Sequence, residues 1–200
     1  MEIIDREKLS PMMKHYLNVK DKYKNTILFY RLGDFYEFFF DDAIEMSSVL
    51  DLSLTAKDCG NNMRAPMCGI PYHAAEGYIA KLMKLGYSIG ICEQLSEPKV
   101  GKIVERDVIR IITPGTVTED SMLDENSNNY IACVTFNNNQ GFGVAIADVT
   151  TGEFNIVDCQ NLNELDNILT RTTPAEIISD EFSLKYSLEL SSVRLGAVPR

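Results

Sequence analysis

Apolar residues recur along the first half of the chain at spacings that predict alternating helices and strands. Met12, Tyr16 and Val19 stand at helical spacing with lysines between them, which predicts a helix over 11–23. The apolar run 26–32 ends at Gly33 and predicts a strand. By the same criteria we expect strands at 52–56, 66–72, 87–95 and 106–113, a helix at 73–85 and a polar loop at 57–66.

The stretch GDFYEFFFDDA, residues 33–43, is dense in aromatic side chains and permits two interpretations. In the first, a helix runs from about 34 to 50 and is capped by Asp34. Its core-facing side chains fall on one stripe, at Phe39, Ala43, Met46 and Leu50. Glu37, three residues after Asp34, would complete a capping box and only satisfy backbone donors. The local pattern alone favours this interpretation.

In the second interpretation, the helix begins after Glu37 and the preceding backbone is extended. Residues two apart lie on one face of an extended chain, whereas they diverge by about 200° on a helix. Phe35 and Glu37 would then present a ring and a carboxylate side by side. The ring can stack on a planar heterocycle, and the carboxylate can accept a hydrogen bond from a base N–H or, when protonated, donate one.

The second half of the chain has a different pattern. Three strand-like segments with short turns between them, 129–137, 140–151 and 152–159, predict an antiparallel meander. A helix, a strand and a second helix are predicted to follow, at 161–172, 175–179 and 181–193. This order resembles the ribonuclease-H-like fold. The pattern stops without a closing element, so we expect the chain to be part of a longer protein.

The charge distribution divides the chain at the same place. The 200 residues carry a net charge of -10. Residues 1–115 contain 15 Lys and Arg against 16 Asp and Glu, and residues 116–200 contain 4 against 13. Such a break predicts two domains with different partners, 1–115 and 116–200. A nucleic acid is compatible with the first domain, whereas the acidity of the second argues against one there.

Several classes of protein are disfavoured by composition. The five cysteines form no C-x-x-C pair, and two histidines stand far apart, which argues for reduced thiols in a cytoplasmic protein without a metal site. No apolar run is long enough to span a membrane, and the N-terminus lacks the features of a signal peptide. No phosphate-binding G-x-x-x-x-G-K-[ST] occurs. We therefore expect neither catalysis nor a cofactor in this segment.

Several sequence blocks, in a fixed order, resemble the N-terminus of the MutS family of bacterial DNA mismatch repair proteins. They are ILFYRLGDFYEFFFDDA, LDLSLT, APMCGIPYHA, YIAKL, ICEQL and VIRIITPGT. The resemblance extends from about Pro11 to Thr116 and weakens beyond. It implies an α/β fold, with a mixed-sheet mismatch-recognition domain over 1–115 followed by an incomplete, ribonuclease-H-like connector domain over 116–200.

The resemblance also assigns a binding site. The family's Phe-x-Glu motif falls on Phe35-Tyr36-Glu37, which implies that Phe35 wedges into the minor groove and stacks on a mispaired or unpaired base while Glu37 hydrogen-bonds that base. The family's neighbouring DNA contacts would fall near Leu32, Lys57, Pro66 and Met67. Family members often carry a second basic residue beside Lys57, where this chain has Ala56 and Asp58. A solvated loop position for Lys57 and a core position for Met67 remain open alternatives.

The same resemblance implies the partners of the full-length protein. These are mismatched double-stranded DNA, a second copy of the protein, and MutL, which the connector domain helps to engage. An ATPase that uses ATP and Mg²⁺ would lie beyond Arg200, and no enzyme activity is implied for the present segment. The family works on DNA in the bacterial cytoplasm, in association with the nucleoid, where mismatch recognition initiates repair.

Two other functions compete with mismatch recognition. Nucleases of the ribonuclease-H-like fold place carboxylates around two metal ions, and the second half of the chain offers Asp148, Glu153, Asp166 and Glu176. However, no acid stands at an inward position early in the strand 129–137. The remaining alternative is a protein-interaction module with no role on DNA.

Overall fold

The computed structural model describes residues 6–61, 63–96, 104–124, 127–137 and 141–179. The described residues within Met1–Ile79 and Ile89–Ile111 form one compact unit, and those within Ala80–Ser88 and Ile112–Arg200 form the other. The domain boundary near 115 stays a prediction. No helix in the described part of the chain is long and apolar enough to cross a bilayer.

The first unit is built on a mixed six-stranded sheet. Its strands are β1 (Ile27–Leu32), β2 (Phe35–Phe39), β3 (Thr55–Gly60), β4 (Met63–Pro71), β5 (Ile89–Gln94) and β6 (Arg106–Ile112), in the order β3-β4-β2-β1-β5-β6. The pair β1–β5 is parallel, whereas β1–β2, β2–β4 and β3–β4 are antiparallel. The helices of this part of the chain are α1 (Pro11–Lys22), α2 (Phe40–Val49) and α3 (Ala75–Lys84). The predicted mixed α/β fold is confirmed.

Helix α1 follows from local sequence and covers one face of the sheet. The Ser10 side chain accepts a hydrogen bond from the Met13 N–H at 3.4 Å, and Pro11 occupies the first turn, where it needs no hydrogen-bond partner. The predicted stripe is buried in part against the sheet, with Tyr16 in edge-to-face contact with Phe39 at 5.1 Å and with Tyr30 at 5.4 Å between ring centroids.

A two-residue turn joins β1 to β2. Gly33 has a φ of +59°, and Leu32 and Phe35 are paired across the turn. Glycine at the first turn position is typical of tight hairpins. The predicted helix start at 34 and the capping box of Asp34 with Glu37 are therefore wrong, because residues 35–37 pair with β1 and residues 35–39 pair with β4. The helix begins only at Phe40, although the predicted core stripe from Phe39 onward is buried.

A second hairpin replaces the predicted strand at 52–56 and the predicted loop at 57–66. Strands β3 and β4 pair over this region, and the turn between them uses positive φ angles at Gly60 and Asn61, of +107° and +49°. Gly60 also lies against the backbone before α1, where a Cβ atom would stand 2.8 Å from the Lys8 carbonyl oxygen. Only glycine fits such an approach.

The second unit is a four-stranded sheet with one helix packed on it. Its elements are β7 (Tyr130–Asn137), β8 (Gly141–Asp148), β9 (Glu153–Cys159), α4 (Leu162–Thr172) and β10 (Glu176–Ser179). The order is β10-β7-β8-β9, with an antiparallel meander and β10 parallel to β7. The predicted meander, helix and strand are confirmed. The predicted helix at 181–193 lies outside the described residues.

Asp148 closes the turn after β8. Its side chain is buried and accepts hydrogen bonds from the Thr150 N–H and hydroxyl at 2.8 and 2.6 Å, the Thr151 N–H at 3.3 Å and the Asn129 N–H at 3.1 Å. Burial alone would raise the pKa of this carboxyl group, but these hydrogen bonds outweigh burial and hold the pKa below its ordinary value. The carboxylate therefore contributes to the stability of the folded turn.

Two phenylalanines of β2 allow a matched test of the fold. Phe39→Ala should lower the free energy of opening of the first unit by about 3–5 kcal/mol, because the ring is fully buried. Phe35→Ala should lower it by less than about 1 kcal/mol, because nearly half of that ring is already exposed. Hydrogen exchange of the amides in β1 and β2 measures both values. Equal losses would contradict the placement of the two rings.

Asp148→Asn should lower the free energy of unfolding at pH 7 by about 1–3 kcal/mol, because the amide turns a donor toward a backbone N–H. A lowered pKa stabilises the folded state above the ordinary pKa of aspartate, and this stabilisation is lost as pH falls through the folded-state pKa. The difference from the wild type should therefore shrink below about pH 4. Urea unfolding at pH 7 and below about pH 4 measures this difference in the free energy of unfolding, with the exposed Asp158→Asn as control. A difference independent of pH would contradict the account.

Candidate nucleic-acid interface

Alternation along β2 separates its side chains into two sets. Phe35, Glu37 and Phe39 point to one face of the sheet, and Tyr36 and Phe38 point to the other. Phe39 is fully buried beneath α1, whereas Phe35 is 47% exposed. The structure thus realises the extended interpretation of this stretch, in which a ring and a carboxylate share one face.

Strand register brings further predicted residues to the same face. Leu32 pairs with Phe35 across the β1–β2 hairpin, and Met67 pairs with Phe39 across β2–β4. Lys57 lies on the same side of β3, since its partner Ala65 is two residues from Met67. We call this surface the open face, formed by Leu32, Phe35, Glu37, Lys57, Met67 and Gly69. Leu32 and Met67 are also packed in part against the core beneath α1.

Pro66 is the one predicted contact that does not share the open face. It lies between Ala65 and Met67 on β4, so its ring projects to the opposite side of the sheet. It is partly buried there. The structure therefore brings together Leu32, Phe35, Glu37, Lys57 and Met67, and its side-chain geometry separates Pro66 from them.

An ion pair crosses the open face. The Lys57 ammonium nitrogen lies 2.5 Å from Oε2 of Glu37, although the two residues stand on β3 and β2 with β4 between them. Gly69, which pairs with Glu37 on the intervening strand, carries no side chain on this face. The sequence did not reveal the pair, since Lys57 was expected in a loop and not on a strand.

Side chains from neighbouring strands hold the turn that precedes Phe35. The Gly33 N–H donates to Oε1 of Gln94 at 3.0 Å, and Arg106 donates to the same oxygen at 3.3 Å. Arg106 also donates to the Arg31 carbonyl at 2.9 Å, and the Arg31 guanidinium lies 3.7 Å from the centroid of the Tyr72 ring. Sequence reasoning did not identify these supporting residues, because only the strand pairing makes them neighbours.

The acids of the competing nuclease hypothesis have structural partners. Asp148 already accepts three hydrogen bonds from its own turn and one from the Asn129 N–H. Glu153 accepts from the Tyr130 hydroxyl at 3.0 Å, and Glu176 accepts from the Gly115 N–H at 3.1 Å. Asp166 lies on α4. Among the described residues, no group of three or more His, Cys, Asp or Glu side chains is arranged to hold a metal ion. The hypothesis gains no support from the fold.

Comparison with known proteins accounts for both units. Residues 10–121 match the family model of MutS domain I, and residues 129–196 match that of MutS domain II. The chain is 51% identical over 174 residues to the DNA mismatch repair protein MutS of Acetivibrio thermocellus, and 51% over 177 residues to that of Clostridium kluyveri. With the corresponding protein of Lachnoclostridium phytofermentans it shares 46% over 187 residues.

These alignments cover 85%, 86% and 93% of the present chain, respectively, but only 20% of the length of each relative. The chain therefore spans about a fifth of the proteins that it matches. Both matched domains occur in the order that the family resemblance implied. The chain belongs to the MutS family of DNA mismatch repair proteins.

Proposed function

We propose that this chain recognises base mispairs and small insertion or deletion loops in double-stranded DNA, by inserting Phe35 into the minor groove. The observation that carries the proposal is the exposed ring of Phe35 on the same sheet face as the Glu37 carboxylate. The ring follows a tight, braced turn, so it projects from a firm support. A wedge needs such support, because it must displace stacked bases.

The energetics of wedging explain how damaged pairing is found. Inserting an apolar side chain between base steps costs a few kcal/mol of unstacking. The cost is lower where a base is mispaired or unpaired. Stacking of the ring on the freed base returns about 1–3 kcal/mol. Phe35 thus senses how easily the duplex deforms, and not its base sequence.

Besides an easily deformed duplex, Glu37 requires a hydrogen-bond donor on the exposed base. Its carboxylate accepts a hydrogen bond from a base N–H that the wedge exposes. Where the duplex offers no such donor, the carboxylate loses water without compensation. The proposal extends to Leu32 and Met67 as apolar groove contacts and to Lys57 as a neighbouring cation. Pro66 would reach DNA only from the opposite side of β4 or through its backbone.

The remaining functions belong to the longer protein that the relatives imply. We propose that its ATPase binds ATP and Mg²⁺ outside the present segment and that two copies enclose the DNA. The second unit would act as the connector that engages MutL and so initiates repair in the bacterial cytoplasm. The near-neutral charge of residues 1–115 supports the proposal that the rest of the protein encloses the DNA, because few phosphate contacts can come from this part of the chain.

Phe35→Ala in the full-length protein tests the wedge. Selectivity for a duplex with one unpaired thymine over the perfect duplex should fall by tenfold or more, because the stacking energy lost, about 1–3 kcal/mol, corresponds to a factor of that size. Affinity for the perfect duplex should hardly change. Fluorescence anisotropy with both duplexes measures the two dissociation constants. Phe154→Ala is the matched control, because it removes an exposed phenyl ring from the second unit. Full selectivity in Phe35→Ala would contradict the proposal.

A further inference from the structure

We infer that Lys57 is a positioning residue for Glu37, which holds one carboxylate oxygen so that the other can accept from a base. This inference rests on the proposed function. In the free protein, Lys57 engages Oε2 at 2.5 Å. Among the described residues, Lys57 alone donates a hydrogen bond to the Glu37 carboxylate. The arrangement leaves Oε1 as the atom that a base N–H can reach.

The fold builds this pair at a fixed place. Glu37 and Lys57 stand on the two strands that flank β4, in register with Gly69 and Ala65. Ala65 and Gly69 leave this face of β4 open on either side of Met67, and the lysine reaches Glu37 across the strand. The ammonium nitrogen also lies 5.7 Å from the centroid of the buried Phe39 ring, on the side of the core. The pair is therefore positioned by three strands rather than by two mobile surface side chains.

Burial gives the pair an electrostatic role. The Glu37 side chain is 15% exposed and the Lys57 side chain 33%. A carboxylate that is largely shielded from water is destabilising without a cationic partner, and nearby phosphates would repel it. Lys57 offsets both effects, because the pair approaches DNA without a net charge. The free carboxylate oxygen of Glu37 can then accept a hydrogen bond at the moment the base is exposed.

A different role would be a plain phosphate contact. Such a contact adds affinity for any duplex. It also makes the plot of the log binding constant against the log salt concentration steeper by about one unit of slope. A positioning role instead acts through Glu37 and affects the selectivity for mispairs. The two roles therefore predict different results when Lys57 and Glu37 are changed separately and together.

The test is a double-mutant cycle in the full-length protein, with Lys57→Met, Glu37→Gln and the double variant. Binding is measured to the perfect duplex and to the duplex with one unpaired thymine. Lys57→Met should lower the selectivity for the unpaired thymine by about threefold to tenfold. This range lies between the effects typical of losing an exposed ion pair and of losing a buried one. In the Glu37→Gln background, the same change should alter selectivity by less than about twofold, because the partner is already neutral.

Rescue separates positioning from a structural role. Lys57→Arg should retain most of the selectivity, since it keeps a cation of similar reach, whereas Lys57→Gln should behave like Lys57→Met. Thermal unfolding shows whether each variant is folded. Lys57→Met and Lys57→Gln are two separate neutral substitutions, so one can be measured if the other does not fold. Loss of selectivity in Lys57→Arg equal to that in Lys57→Met would overturn the inference.

A phosphate contact alone would give another pattern. Lys57→Met would then weaken both duplexes equally and reduce the salt slope in either background, which also overturns the inference. Phe35→Ala is measured in parallel to separate the two proposals. If it abolishes selectivity while the Lys57 and Glu37 effects are additive, only the positioning role fails. If it leaves selectivity intact, the wedge itself fails.

Discussion

The extended backbone of residues 35–39 is the constraint on which the site depends. A two-residue turn that contains Gly33 reverses the chain directly before this segment, and neighbouring strands on both sides form backbone hydrogen bonds with the segment. Extended geometry places alternate side chains on one face, so Phe35 and Glu37 are neighbours. In a helix they would diverge by about 200° and could not meet the same base.

The same strand joins the site to the core. Phe38 and Phe39 are fully buried on opposite faces of the sheet, which fixes the position and rotation of β2. Helix α1 covers Phe39 but does not cover Phe35, where the strand leaves the core. Three residues of chain thus separate the exposed ring of Phe35 from the packed ring of Phe39. This arrangement gives Phe35 the rigid support that the proposed wedge requires.

Strong periodicity made most of the fold predictable from sequence. Helix α1, helix α4 and the meander β7–β9 follow from repeated spacings. The capping-box interpretation failed because Asp34 and Glu37 satisfy a local rule that pairing on both sides of β2 overrides. The available signal was Gly-Asp between two apolar runs, which indicates a hairpin.

The missed β3–β4 hairpin has a different cause. Strand β3 lies at the edge of the sheet and is largely polar, so it lacks the apolar alternation that reveals a strand. The ion pair of Lys57 with Glu37 depends on the register of three strands, which local sequence does not encode. Family resemblance supplied the proposed roles of Phe35 and Glu37, whereas their physical arrangement came only from the fold.

Photochemical crosslinking tests most directly whether Phe35 stacks on the mispaired base. A duplex that carries one unpaired 5-iodouracil is bound to the full-length protein and irradiated, and the linked residue is identified by mass spectrometry. The account predicts a crosslink to Phe35 that disappears when the same base is paired with adenine. Crosslinking to another residue, or equal crosslinking of the paired base, would contradict it.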